Sequence, residues 1–153
     1  MDGHRLLRVY LDTCCLNRPF DDQMQDRIRL EAEAVVAILS AFEAGEYSWV
    51  GSDIVLFEIQ RTPDFEKRHR VNMLASNIGQ TVSLTTEIIK RAKVLESLGF
   101  HPTDALHIAC AEEGKADIFL TTDDEVLKRS SRFSRELFIR VTNPLSWMQE
   151  SRK

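Results

Sequence analysis

Five short runs rich in β-branched and aromatic residues alternate with longer stretches of helical periodicity, and this alternation constrains the fold more than any other feature. The runs are Arg8–Leu11, Tyr47–Val50, Thr81–Leu84, Ile118–Leu120 and Leu137–Val141. After the first, Ile28, Val35, Leu39 and Phe42 share one helical face, and Gly45 stops the helix. Two further helices fit Asp53–Gln60 and Asp64–Asn77, separated by Pro63. Ile88, Ala92 and Leu95 repeat the pattern before Gly99. Leu106, Ala109 and Cys110 repeat it before Gly114, with Pro102 and Thr103 as start signals. A last short helix follows Asn143-Pro144 and carries Trp147. Strands alternating with helices predict an α/β fold whose mainly parallel sheet is covered on both faces. Ligands of such sheets bind outside the carboxyl ends of the strands, where strand order reverses. The polar residues at those ends therefore matter most.

The chain has 153 residues, which fits a single domain spanning 1–153 and is ample for a hydrophobic core. Its formal net charge of -4 argues against nucleic-acid binding through bulk positive charge, though not against a local basic stripe. No apolar run approaches the ~18 residues of a membrane helix. MDGHRLLRVYLD lacks the apolar core and cleavage site of a signal peptide, so a cytoplasmic protein is expected. Cys14, Cys15 and Cys110 include no C-x-x-C and form neither a disulfide framework nor a zinc pattern, so free thiols are expected.

Four acids stand at or near the predicted strand ends. Asp12 closes the first strand in VYLDTCCLN, where a turn or cap is the ordinary role of Asp. Glu58, in SDIVLFEIQ, is surrounded by apolar residues, so its helix is expected to be largely buried and its carboxylate to need a partner such as a cation. Asp104, in HPTDALHIACAEEG, suits the positive end of a helix dipole. His107, one turn on, reads as an ordinary half-buried histidine. Asp123 and Asp124 follow the fourth strand in FLTTDDEVLKR, where Thr121, Thr122 or Asp123 can cap the next helix. Capping accounts for each acid singly, but not for four placed to converge on one crevice. Gathered carboxylates raise one another's pKa, and a hard divalent cation relieves the repulsion. Oxygen ligation favours Mg²⁺ or Mn²⁺ over zinc, and such a site suits phosphodiester hydrolysis.

In VYLDTCCLN, SDIVLFEI, PTDALHIACAEE and IFLTTDD, taken in order, the chain resembles the PIN-domain family of metal-dependent nucleases, which includes toxins of the VapC type. The likeness runs from about residue 8 to 148, with NPLSW similar to the closing segment. It implies a three-layer α/β/α sandwich and an acid cluster of Asp12, Glu58, Asp104 and Asp123 binding Mg²⁺ or Mn²⁺. Thr13, Asn17 and Thr121 match its supporting positions, and Asp124 either adds to the cluster or replaces Asp123. It further implies an endoribonuclease acting on RNA, a partner antitoxin and a homodimer. The cysteine pair departs from the family's usual small or aliphatic residues. The acidic net charge also leaves the RNA to local cations: Arg18, the stretch Arg61–Arg70, and Lys128, Arg129, Arg132 and Arg135. Arg18, beside Asp12, is the expected phosphate contact.

Two other functions fit parts of this pattern. A non-catalytic binding module of the same fold would need none of the acids. A phosphatase of the haloacid-dehalogenase type also places an Asp after its first strand, but needs a second Asp where this chain has Cys14.

Overall fold

Val9, Tyr10 and Leu11 are almost completely buried, which marks their strand as central. It is β1, Leu7–Leu11, in a computed structural model that describes residues 5–151. Positions 1–4 and 152–153 of the expected single domain lie outside the described residues. β1 pairs in parallel with β2 (Tyr47–Ser52) on one side and with β4 (Ile118–Leu120) on the other. β3 (Gln80–Val82) extends the sheet beyond β2, and β5 (Arg140–Thr142) extends it beyond β4. The order β3-β2-β1-β4-β5 makes a five-stranded, all-parallel sheet. The chain moves outward in one direction from β1 to β3, then returns to the other side of β1, so strand order reverses between β1 and β4.

The helices cover both faces because side chains alternate across each strand. Trp49 stacks on Phe42 of α2 (Asp26–Glu43) with ring centroids 4.8 Å apart. Tyr47, two residues earlier, meets Trp147 of α8 (Pro144–Ser151) at 5.2 Å. Tyr10 faces the other layer, where its hydroxyl reaches His107 of α6 (Pro102–Glu113). α5 (Thr86–Ser97) packs against α6 through Ile88, Ala92 and Leu95, which are all buried. Each large side chain buried this way contributes roughly 1.5–3 kcal/mol. The three-layer α/β/α sandwich expected from the sequence is therefore present.

Element ends differ from the sequence reading where the partner strand dictates length. β5 begins at Arg140 rather than Leu137 because β4 offers only the pairings from Ile118↔Arg140 to Leu120↔Thr142. Leu137 and Ile139 remain buried, while the Phe138 amide donates to Glu112 instead of a strand. β3 ends at Val82, and the Leu84 amide goes to the Asp53 carboxylate. Gly114 directly follows the last residue of α6, as expected of a helix stop, but without a left-handed backbone. Its φ is ordinary, and Lys115 takes the left-handed conformation at φ 60°. A Cβ on Gly114 would stand 2.7 Å from Val82 and 2.9 Å from Val50, so glycine here lets α6 lie close on the sheet.

Candidate metal centre

Asp12 sits at the reversal of strand order. Its amide donates to the Leu120 carbonyl at 2.9 Å, which pins it between β1 and β4. α1 (Thr13–Asn17) starts directly after it, yet the Asp12 side chain makes no capping hydrogen bond to that helix. The carboxylate instead accepts from Thr121 Oγ1 at 2.8 Å through Oδ2. The ordinary capping role is thus not what Asp12 does.

Glu58 approaches from α3 (Asp53–Gln60), which Ser52 caps by accepting from the Val55 amide. This helix is not buried all round as its composition suggested. Ile54, Val55 and Ile59 face the core, whereas Phe57 is 57% exposed and Glu58 is half-buried. One Glu58 oxygen accepts from Thr13 Oγ1 at 2.6 Å and meets His107 Nε2 at 2.5 Å. His107 is almost completely buried, and Nε2 lies 3.6 Å from Asp12 Oδ1. Its other ring nitrogen is 2.7 Å from the Tyr10 hydroxyl, which lies 2.6 Å from Ser52 Oγ. Asp12, Glu58 and His107 each offer a ligand atom, and these atoms lie within 4.8 Å of one another. By sequence alone His107 reads as an ordinary half-buried histidine. The available signal was its i+3 spacing from Asp104 on a helix buried against the sheet.

Asp104, in the first turn of α6, and Asp123, at the start of α7 (Asp124–Arg132), complete the acid group. Asp12, Glu58, Asp104 and Asp123 together line a crevice of about 400 Å³, with Thr13, Cys14, Asn17, Arg61, Thr62, Pro63 and Lys67. Asp123 also caps α7, accepting from the Glu125 and Val126 amides at 2.9 and 3.3 Å. A larger hollow of about 600 Å³ lies at the opposite end of the sheet. Its charged residues Asp117 and Arg140 are already paired, with Arg5 and Glu150.

The charges in the crevice conflict. Burial, then the charges of Asp12 and Asp123, push the Asp104 carboxyl up to about 6. Burial alone would raise Glu58, but hydrogen bonds from His107 and Thr13 hold it below the usual carboxylate range. Burial would lower His107, but Asp12, Glu58 and Asp104 outweigh it and raise the ring. Raised folded-state values favour the protonated forms. Asp104 therefore contributes stability that is full below its unfolded value of 3.8 and lost as pH rises through about 6. His107 acts in the same direction above 6.5. The metal-free protein is expected to show a falling Tm from pH 5 to pH 8 in the presence of a chelator. Asp104→Asn should flatten the lower part of that slope, and an unchanged slope would refute the assignment.

A divalent cation fits these residues. It would neutralise the acids that repel one another, and Asn17, one of the crevice-lining residues, has its Oδ1 buried without a hydrogen-bond partner. The other expected site residues have different partners. Arg18 is held by Glu31 at 2.8 Å and Asp21 at 3.1 Å and is not among the crevice-lining residues. Asp124 pairs with Arg27 at 2.8 Å, outside the crevice. The cations that do line it are Arg61 and Lys67, both from the stretch Arg61–Arg70. The adjacent thiols have contacts within the protein. Cys15 is fully buried with Sγ on the Leu120 carbonyl, and burial pushes its pKa well up. Cys14 Sγ contacts Thr121 Oγ1 and the Thr122 amide, both at 3.4 Å. A serine oxygen can take both contacts, so Cys14→Ser should change stability by no more than about 0.5 kcal/mol and leave Mn²⁺ binding intact. Loss of binding in a folded Cys14→Ser protein, read by calorimetry, would show the thiol to be part of the site.

Comparison with known proteins agrees with this architecture. The profile of the PIN domain matches residues 9–132, which is most of the chain, and the protein belongs to that family. Among solved structures it is similar to a chain of VapBC2 from Rickettsia felis, determined bound to a DNA fragment from their promoter. Identity there is 15% and the TM-score 0.58, over 90% of this chain and 98% of that one. A chain of VapBC-1 from nontypeable Haemophilus influenzae is similar at 15% identity and a TM-score of 0.57, with the same coverage. No curated protein matches the chain.

Proposed function

We propose that this protein is a metal-dependent endoribonuclease that hydrolyses RNA phosphodiester bonds as the toxin of a type II toxin–antitoxin pair. The observation that carries the reading is the convergence of Asp12, Glu58, Asp104 and Asp123 on one crevice at the reversal of strand order. These four residues would hold Mg²⁺ or Mn²⁺, with Thr13, Asn17 and Thr121 as support. Thr121 fixes one Asp12 oxygen and Thr13 fixes one Glu58 oxygen, so the remaining carboxylate oxygens meet a cation already oriented. The bound metal would supply a water of lowered pKa and charge stabilisation at the phosphate. Arg61 and Lys67, on the crevice wall and within the stretch Arg61–Arg70, would hold the RNA backbone, Lys67 by exchanging its 3.3 Å pairing with Asp21 for a phosphate. Phe65, 70% exposed with the Arg68 guanidinium 5.4 Å from its ring, adds a surface on which an unpaired base can stack.

The partner reading rests on the similarity to chains of VapBC assemblies and on exposed apolar side chains. Leu56, Phe57 and Leu84, with Ile54, line an apolar hollow that suits a protein surface. A cognate antitoxin, a homodimer, a single domain and a cytoplasmic location complete the proposal. Among the described residues, no helix is long and apolar enough to cross a membrane.

Mn²⁺ titration followed by thermal unfolding separates this reading from a non-catalytic module. A cation bound at 100 times its Kd stabilises the fold by about 2.7 kcal/mol. Wild type should gain several degrees in Tm at millimolar Mn²⁺, and an Asp12→Asn protein should gain little. An unchanged wild-type Tm would favour the module.

A further inference from the structure

We propose that His107 is a positioning residue whose ring proton sits on Nε2 and holds Glu58 against Asp12, in an orientation fixed by Tyr10. The proposal rests on the cation-site reading above, and it also makes a claim about the metal-free protein. A chain of polar atoms, buried from Ser52 to His107, runs Ser52 Oγ–Tyr10 OH–His107–Glu58–Thr13 Oγ1, with steps of 2.6, 2.7, 2.5 and 2.6 Å. Ser52, Tyr10 and His107 are each no more than 1% exposed, so water does not satisfy them.

The direction of the chain follows from its acceptor end. A carboxylate only accepts, so at 2.5 Å His107 Nε2 must carry a proton; a bare nitrogen there would set lone pair against lone pair. In the neutral ring Nδ1 then accepts, and the neighbour at 2.7 Å is the Tyr10 hydroxyl. That phenol has one proton, which goes to Nδ1, so its oxygen accepts from the Ser52 hydroxyl. With the ring neutral, every polar atom in the chain is satisfied in this one direction.

The geometry has a consequence for the crevice. One Glu58 oxygen takes two donors, from Thr13 and His107, leaving its other oxygen for a cation. The His107 nitrogen is occupied by its own proton and is not a ligand, although its distances alone would allow that role. A β-strand tyrosine thus orients a helix histidine, which orients a carboxylate. Removing partners of this kind typically costs 10–100-fold in metal affinity.

The test measures Mn²⁺ affinity by calorimetry, without reference to hydrolysis. His107→Gln keeps an N–H donor near the Nε2 position and should bind within a few-fold of wild type. His107→Leu should weaken binding roughly 10–100-fold, and Tyr10→Phe should weaken it toward the same range. Tyr10→Phe keeps the stacking on Phe119, whose ring centroid is 5.2 Å away, so its core packing is preserved. With ¹⁵N-labelled histidine, bound Mn²⁺ should show no directly coupled ring nitrogen by pulsed electron paramagnetic resonance. A coupled nitrogen would overturn the proposal by making His107 a ligand. ¹H–¹⁵N spectra of metal-free wild type, recorded with the ring neutral, should place the proton on Nε2, and a proton on Nδ1 would also overturn it. If wild type binds no Mn²⁺, the cation-site reading fails, and these metal-free spectra still decide the position of the proton.

Discussion

Replacing Asp12 by asparagine is expected to cut Mn²⁺-dependent RNA hydrolysis roughly a thousandfold, about 4 kcal/mol of barrier, with the fold intact. Asp12 stands where the strand order reverses, and three of its neighbours in the crevice are also acids. Its charge is the part a cation needs; its shape is the part the fold needs. Asparagine keeps an oxygen to accept from Thr121 and keeps the amide bonded to Leu120. It also removes one of the two charges that push Asp104 up. The metal-free Tm should therefore hold steady or rise at pH 8 while kcat/KM collapses. An Asp12→Asn protein that cleaves within tenfold of wild type would remove Asp12 from the proposed site.

Replacing Glu31 by alanine is expected to cost about 3 kcal/mol of stability, a large share of what a domain of this size has. Glu31 is a carboxylate only 1% exposed on α2, and the sequence reading did not single it out. It accepts from Arg18 at 2.8 Å, Arg27 at 3.1 Å and Asn143 at 2.6 Å. It thereby ties the segment after α1, the start of α2 and the turn before α8 to one point. Arg27 continues the network to Asp124 and the Thr122 carbonyl, beside the fourth acid. Alanine would leave two guanidinium groups and an amide without their shared acceptor. Urea unfolding gives the number, and a loss below about 1 kcal/mol would show that the network contributes little.

The fold was legible because apolar runs and helix periodicity are local signals. Val9–Leu11 of β1 and the whole of β4 read directly as continuous apolar runs, and Gly45, at φ 75°, ends α2 as expected. β5 was misplaced because a three-residue β4 limits its pairing, a fact no single run contains. Strand-end logic brought Asp12, Glu58, Asp104 and Asp123 together, and the structure lines one crevice with all four. His107 and Glu31 were missed for one reason: each is a polar residue whose partners lie far off in sequence. His107 meets Glu58 from another helix, and Glu31 meets Asn143 across most of the chain. Arg18 is near Asp12 in sequence, but Glu31 and Asp21 hold its guanidinium, contacts that the local sequence does not show. Arg61 and Lys67 reach the crevice from the α3–α4 region (α4 being Phe65–Ala75), distant in sequence from Asp12.

The central claim is that this acidic crevice, loaded with a divalent cation, cuts RNA. Its most direct test incubates purified wild type with a labelled single-stranded RNA in Mn²⁺ and, separately, in excess chelator, beside Asp12→Asn in Mn²⁺. The account predicts internal cleavage by wild type in Mn²⁺ alone. Intact RNA in that reaction, or equal cleavage with chelator present, would contradict it.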